Sequence, residues 1–226
     1  MPSYLPILIV VVLILLMGVV GYLAYLAEKK RTEAWRQTAE ELGFDFQPIA
    51  GNSILTRFPG FHLFSQGRNH TVKNLLQGKT ADLEVAIFDY SYTTGSGKNR
   101  RTWQQTVVAF EFDEPRLPKF SIRPESIFHK IGQWLGYRDI NFDTHPRFSR
   151  QYVLRAENEE AVREHFSDHV LEYYEATSGV CTEAAGNNLV HYRATTRQPP
   201  EKARELLEEG FEILALFRPP QGKAST

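Results

Sequence analysis

One cysteine, two methionines and no excess of either charge set the first limits on this 226-residue chain. A lone Cys181 cannot form an intrachain disulfide, which agrees with a reducing compartment. The chain carries 26 Lys and Arg against 27 Asp and Glu, a formal net charge of −1. No global field therefore draws it to nucleic acid, and any electrostatic partner must meet a local patch. No internal repeat and no low-complexity tract is present. The most consequential absence is at the start, where residues 1–27 contain no Asp, Glu, Lys, Arg or His.

What fills that stretch is apolar. Residues 7–27 read ILIVVVLILLMGVVGYLAYLA. At 1.5 Å rise per residue, such a helix matches a hydrocarbon core about 30 Å thick. Tyr22 and Tyr25 stand where an interfacial aromatic belt would lie. A cleaved signal peptide would want basic residues before a shorter apolar run and a small-x-small site after it. No basic residue precedes this run, and its end, AYLAEKK, lacks a good site. The expectation is a membrane anchor over residues 1–27. Lys29, Lys30 and Arg31 follow at once, and basic flanks stay on the cytoplasmic side. The expected topology is a single pass in the bacterial inner membrane, N-terminus out and C-terminal domain cytoplasmic.

The catalytic and cofactor motifs are absent or incomplete. SYTTGSGKNRRTWQQT, residues 91–106, contains Gly-Ser-Gly-Lys. A phosphate loop ending at Gly97-Lys98 would need glycine where Tyr92 stands and a hydroxyl where Asn99 stands, with a helix to follow. The following residues read as a strand, so the segment is a hairpin turn. Gly95 and Gly97 supply positive φ, and Lys98, Arg100 and Arg101 project from its tip. His165 and His169 are four apart, but no third ligand stands at recognisable spacing, and His169 falls on the apolar side of a helix as a core-edge residue. DINFDTH lacks the glycine and glutamate of a calcium loop and alternates like a half-buried strand. No G-x-S-x-G occurs. Cys181 reads as a small buried hydrophobe, and Asp89 with Arg123 as a structural ion pair. No catalytic residue, cofactor or metal site is expected.

The remaining pattern is mixed. Residues 28–43 continue the anchor as a helical juxtamembrane stalk, with Trp35, Ala39 and Leu42 on one face and Gly43 as its stop. Prolines and glycines punctuate residues 44–79, which suits short strands and turns, with Phe58, Phe61 and Phe64 in the core. DLEVAIFDYSY and WQQTVVAFEF are long strands with apolar centres on both faces, so something should pack on each face of their sheet. LPKFSIRPE is a third strand, with a short helix over 125–135 after it carrying Ile127, Ile131 and Leu135. Asn158 should cap a helix running to Tyr174. A hairpin turns at Gly186-Asn187-Asn188. PPEKARELLEEGFEILALF forms an amphipathic helix with Ala203, Leu206, Leu207, Phe211 and Leu214 inward.

LGFDF, VAIFDYSYTTGSGK, QQTVVAFEF, LPKFSIRPE and RFSRQYVLRAENEEAVREHF, placed after one span and a basic flank, resemble a group of bacterial single-pass membrane-anchored proteins of unknown function. The resemblance covers much of residues 42–166. It implies a bacterial inner membrane and carries no activity, cofactor or catalytic residue.

These readings combine into an α+β fold: an N-terminal transmembrane helix followed by a mainly antiparallel sheet packed with helices. The expected organisation is an anchor at 1–27, a stalk at 28–43, a cytoplasmic α+β domain at 44–218 and a disordered tail at 219–226. The expected function is a non-enzymatic, membrane-tethered binding domain. Lys29, Lys30, Arg31, Lys98, Arg100 and Arg101 are its contacts with anionic lipid or a protein partner. Two alternatives come from other classes. One is an enzyme with a pocket drawn from Asp89, Glu111, Arg123, His129 and His191. The other is a structural subunit whose span packs with other spans.

Overall fold

The computed structural model describes residues 4–114, 116–128 and 139–217. Its first element is one unbroken 38-residue helix, α1 (Leu5–Leu42). The N-terminal part of α1 exposes its apolar side chains and is long and apolar enough to cross a membrane. The face carrying Trp35, Ala39 and Leu42 instead packs into the core of the sheet domain. Gly43 ends the helix at φ 69°, and the N–H groups of Gly43 and Phe44 close back on Glu40 and Ala39. A left-handed cap of this kind is a normal glycine stop.

The strands that follow are β1 (Asp45–Ala50), β2 (Arg68–Lys79), β3 (Leu83–Thr94), β4 (Arg101–Phe112), β5 (Leu117–Pro124), β6 (Asp139–Ile140), β7 (Tyr152–Ala156), β8 (Val180–Gly186) and β9 (Asn188–Arg193). They form one nine-stranded sheet in the order β1-β2-β3-β4-β9-β8-β5-β7-β6, antiparallel at every pairing. The fold is α+β. The helices are α2 (His62–Ser65), α3 (Glu125–Phe128), α4 (Pro146–Gln151), α5 (Glu159–His165), α6 (Asp168–Ala176) and α7 (Ala203–Phe217).

Both faces of the central strands are covered, as their doubly apolar centres require. Val85, Ile87, Val108 and Phe110 belong to the cluster that holds Trp35 of α1 and the inward faces of α5, α6 and α7. Ala86, Phe88, Val107 and Ala109 belong to a second cluster, closed by Ile54, Phe58, Phe61 and Leu63 from the segment before β2. Fully burying each valine, leucine, isoleucine or phenylalanine among these stabilises the fold by about 1.5–3 kcal/mol.

Four local readings are corrected. Residues 68–79 form a single twelve-residue strand rather than short pieces. Gly78 is the one punctuating residue inside the strand and leaves room for the Phe44 ring, while Asn69 and Asn74 take positive φ beside two irregularities of register. The helix capped by Asn158 stops at His165 and restarts at Asp168. The break turns Phe166 into the core, 5.2 Å from the Phe120 ring, and leaves His169 exposed. Only Asp139–Ile140 of the DINFDTH segment is strand. On α7, Gly210 also faces the sheet, where a side chain would crowd the Phe110 ring, and Phe211 is only partly inward: its ring lies 5.3 Å from that of Phe110 but is 42% exposed. Ile131, Leu135, His129 and residues 219–226 lie outside the described residues.

Candidate functional site at the helix–sheet junction

Asp89 is the one acidic residue in the apolar centre of β3, and alternation along the strand turns it toward α1 with Val85 and Ile87. A buried carboxylate must find donors. Arg31, about one turn past the apolar run, supplies a fork: Nε donates to Oδ2 at 2.8 Å and Nη2 to Oδ1 at 2.7 Å. Thr106 Oγ1 donates to Oδ1 at 2.8 Å, Asn74 Nδ2 to Oδ2 at 2.9 Å and Arg197 Nη2 to Oδ2 at 3.2 Å. Arg197 also holds Glu28 with both outer nitrogens, at 2.5 and 3.0 Å. Arg31 Nη2 reaches the Gln198 carbonyl at 2.7 Å. The Arg31 and Asp89 side chains are only 15% and 7% exposed.

Burial opposes ionisation of Asp89, but the bonds and charge of Arg31, then Asn74 and Arg197, outweigh it and hold the carboxyl below its ordinary range. A buried ion pair adds little net stability, because desolvation offsets the attraction. Docking of α1 therefore rests on the burial of Trp35 and Ala39, while the network sets the register in which the helix meets the sheet. Arg31 differs from the expectation in one respect: its guanidinium is engaged by Asp89 and the Gln198 carbonyl, so it clamps the helix to the sheet.

The other basic residues expected at the surface are exposed. The side chains of Lys29, Lys30, Lys98 and Arg100 form no hydrogen bond or ion pair among the described residues. Arg101 lies over the Trp103 ring, 4.0 Å from its centroid. The hairpin is closed by the Thr94–Arg101 pair, and Gly95 takes φ 69° with the Asn99 carbonyl where a side chain would sit. Arg68 Nη2 donates to the Gly95 carbonyl at 2.6 Å and braces the tip.

The residues considered for an enzyme pocket are dispersed. Asp89 belongs to the junction, and Glu111 pairs with Arg57 beside Glu84 at the rim of a cavity of about 190 Å³. His191 bonds Glu209 of α7 at 3.1 Å. Arg123 pairs with Glu183 at 2.8 Å, not with Asp89. Strand alternation explains that correction: Ser121 and Arg123 face the second cluster, opposite the face that Asp89 serves. Glu183 also accepts from the N–H groups of His62 at 2.6 Å and Leu63 at 3.1 Å and from the Tyr192 hydroxyl at 3.1 Å. These bonds fasten the segment before β2 to the sheet. Burial, with the nearby Arg123 charge, pushes His62 down to about 4, so the ring is neutral near pH 7. Burial pushes the Cys181 thiol up to about 12.

Sequence reasoning missed Arg197, Glu28 and Glu183. The signal available was an acidic residue in each of two apolar strands, which calls for partners without naming them.

No family model and no curated protein matches the sequence. Among solved structures, the chain is similar to the crystal structure of the mycobacterial trehalose monomycolate transport factor A, TtfA. The TM-score is 0.57 over 87% of this chain and 98% of that chain, at 15% identity. The likeness, at that identity, is one of fold, and it is to a bacterial transport factor.

Proposed function

We propose that this chain is a non-catalytic, membrane-tethered binding domain serving a membrane-associated process with protein partners. In this reading, residues 1–27 anchor it, residues 28–43 carry the helix into the domain, and residues 44–218 lie in the cytoplasm. Lys29, Lys30, Lys98, Arg100 and Arg101 meet anionic lipid or an acidic partner at the membrane surface.

One observation carries the reading: α1 passes without a break from an exposed apolar segment into a segment clamped on the sheet by Arg31 and Asp89. A domain held in that way cannot turn freely beneath its anchor. The contacts of α1 also give the direction. Its last turn leads to Phe44 beside Gly78 and Val85, while Arg31, nearer the anchor, sits at Asp89. Moving along β3 from Val85 to Asp89 is therefore moving toward the bilayer, and the hairpin tip lies further on. From Asp89 to Thr94, where β3 ends, the strand advances roughly 17 Å, whereas α1 needs only about 6 Å from Arg31 to Ala27. In this reading the basic tip, beyond Thr94, lies at the level of the bilayer surface. The fold likeness to a protein described as a transport factor supports the coarse role.

The test is co-sedimentation of residues 28–226 with anionic and neutral vesicles at low and moderate salt. Each basic residue near an anionic leaflet contributes about 1 kcal/mol, so K98E/R100E/R101E should weaken binding at least about a hundredfold. Equal sedimentation of the native and variant proteins refutes the tip as a membrane contact.

A further inference from the structure

Where α1 leaves the sheet, a polar cavity of about 230 Å³ opens beside Glu28, the first residue after the apolar run. Its walls are the outer ends of β2, β3 and β4, with Thr71 and Lys73, Ser91, and Gln104. The carboxylates that also line it are occupied, Glu28 by Arg197, itself a lining residue, and Asp89 by Arg31, Asn74 and Thr106. The donors make no such bonds: the side chains of Thr71, Lys73, Ser91 and Gln104 form no hydrogen bond or ion pair among the described residues, and the Lys73 charge is felt only at longer range by Glu28. The cavity therefore presents one ammonium, two hydroxyls and an amide to whatever enters. That is the donor set for a tetrahedral oxyanion.

We propose that this cavity holds the phosphate of a phospholipid headgroup, with Lys73 as its ion partner and Thr71, Ser91 and Gln104 as hydrogen-bond donors. The inference rests on the anchored reading above, because that reading puts Glu28 at the bilayer surface. The size fits the assignment. Pockets that enclose a whole drug-sized ligand run from about 300 to 1,000 Å³, so this one takes a headgroup and leaves the acyl chains in the bilayer beside α1. Basic pockets next to a membrane helix bind lipid headgroups by the same charge pairing.

The test uses the full chain, purified and delipidated in a maltoside detergent, which carries no phosphate. Dihexanoyl phosphatidylglycerol is titrated in and followed by ³¹P NMR, with glycerol phosphate in a parallel titration. The short-chain lipid should bind, and glycerol phosphate should bind at least about tenfold more weakly, since acyl contacts along α1 add to the headgroup. Lys73→Glu should lower lipid affinity at least about tenfold through loss and reversal of the ion partner. Lys73 is exposed, so this variant retains the fold; S91A/Q104A gives a second reading that leaves the charge in place. K98E/R100E/R101E, far out on the hairpin, should titrate like the native chain.

Native affinity in both pocket variants overturns the proposal. Glycerol phosphate binding as tightly as the lipid also overturns it, leaving a site for soluble phosphate. If the hairpin variant keeps full vesicle binding while Lys73→Glu loses the short-chain lipid, the surface reading falls and the pocket stands. The reverse result removes the pocket alone.

Discussion

Replacing Asp89 by alanine gives the sharpest test of the junction. It leaves the Arg31 and Arg197 guanidiniums side by side, 15% and 22% exposed at their side chains, with their shared carboxylate gone. Breaking a fully buried pair by removing one partner costs 3–5 kcal/mol. Arg197 keeps Glu28 and both arginines retain some solvent, so the expected loss is at the low end, about 3 kcal/mol, or roughly a hundredfold in the folding constant. With a urea m-value of about 2–3 kcal/mol per molar, the midpoint should fall by about 1 M. The assay is urea unfolding of residues 28–226 at pH 7 by tryptophan fluorescence, since Trp35 lies 5.6 Å from the Arg31 guanidinium. The paired change R31M/D89L removes both charges and should cost much less than D89A alone, because a buried pair is nearly neutral against apolar replacements. The pH dependence has a definite sign. Asp89 is held below its ordinary value, so its contribution is fully present above the unfolded carboxylate value of about 3.9. It is lost as pH falls from there through the folded value, and Asp89→Asn should flatten that part of the acid limb. A loss below about 1 kcal/mol for D89A, or equal losses for the single and paired changes, would refute the clamp.

Three further outcomes follow from the packing. Glu183→Ala should destabilise the domain by about 3–5 kcal/mol in the same urea assay, because it strands the buried Arg123 charge and two backbone N–H groups. Gly210→Leu should lower stability by about 1–3 kcal/mol or more through overpacking against Phe110, whereas Phe211→Ala should cost less than a core phenylalanine. Cys181 should resist a thiol reagent at pH 8 in the folded protein and react fully in urea, since its thiol is buried and pushed up to about 12.

The legible parts of this protein were those written in local pattern. A long uncharged run specifies a helix able to cross a membrane, because composition and length alone meet that requirement. Doubly apolar strands specify a sheet covered on both sides, and β3 and β4 are just that. Gly95 and Gly97 mark the hairpin tip because positive φ is a property of the residue itself. The extent of β2 was illegible, because Gly67 and Gly78 look like breaks, whereas one precedes the strand and the other sits within it against the Phe44 ring.

Only the tertiary structure decided which charges meet. Arg31 stands beside Lys29 and Lys30 in sequence, and nothing local separates its role from theirs. Its partner is 58 residues away on β3, and Arg197 joins from 108 residues beyond Asp89. Likewise Arg123 and Asp89, the pair suggested by their positions in apolar strands, occupy opposite faces of one sheet, so each took a partner on its own face. Burial creates the demand for a counter-charge, and that demand is visible residue by residue. The supply depends on strand order and on the face each strand turns inward, which a linear sequence does not display.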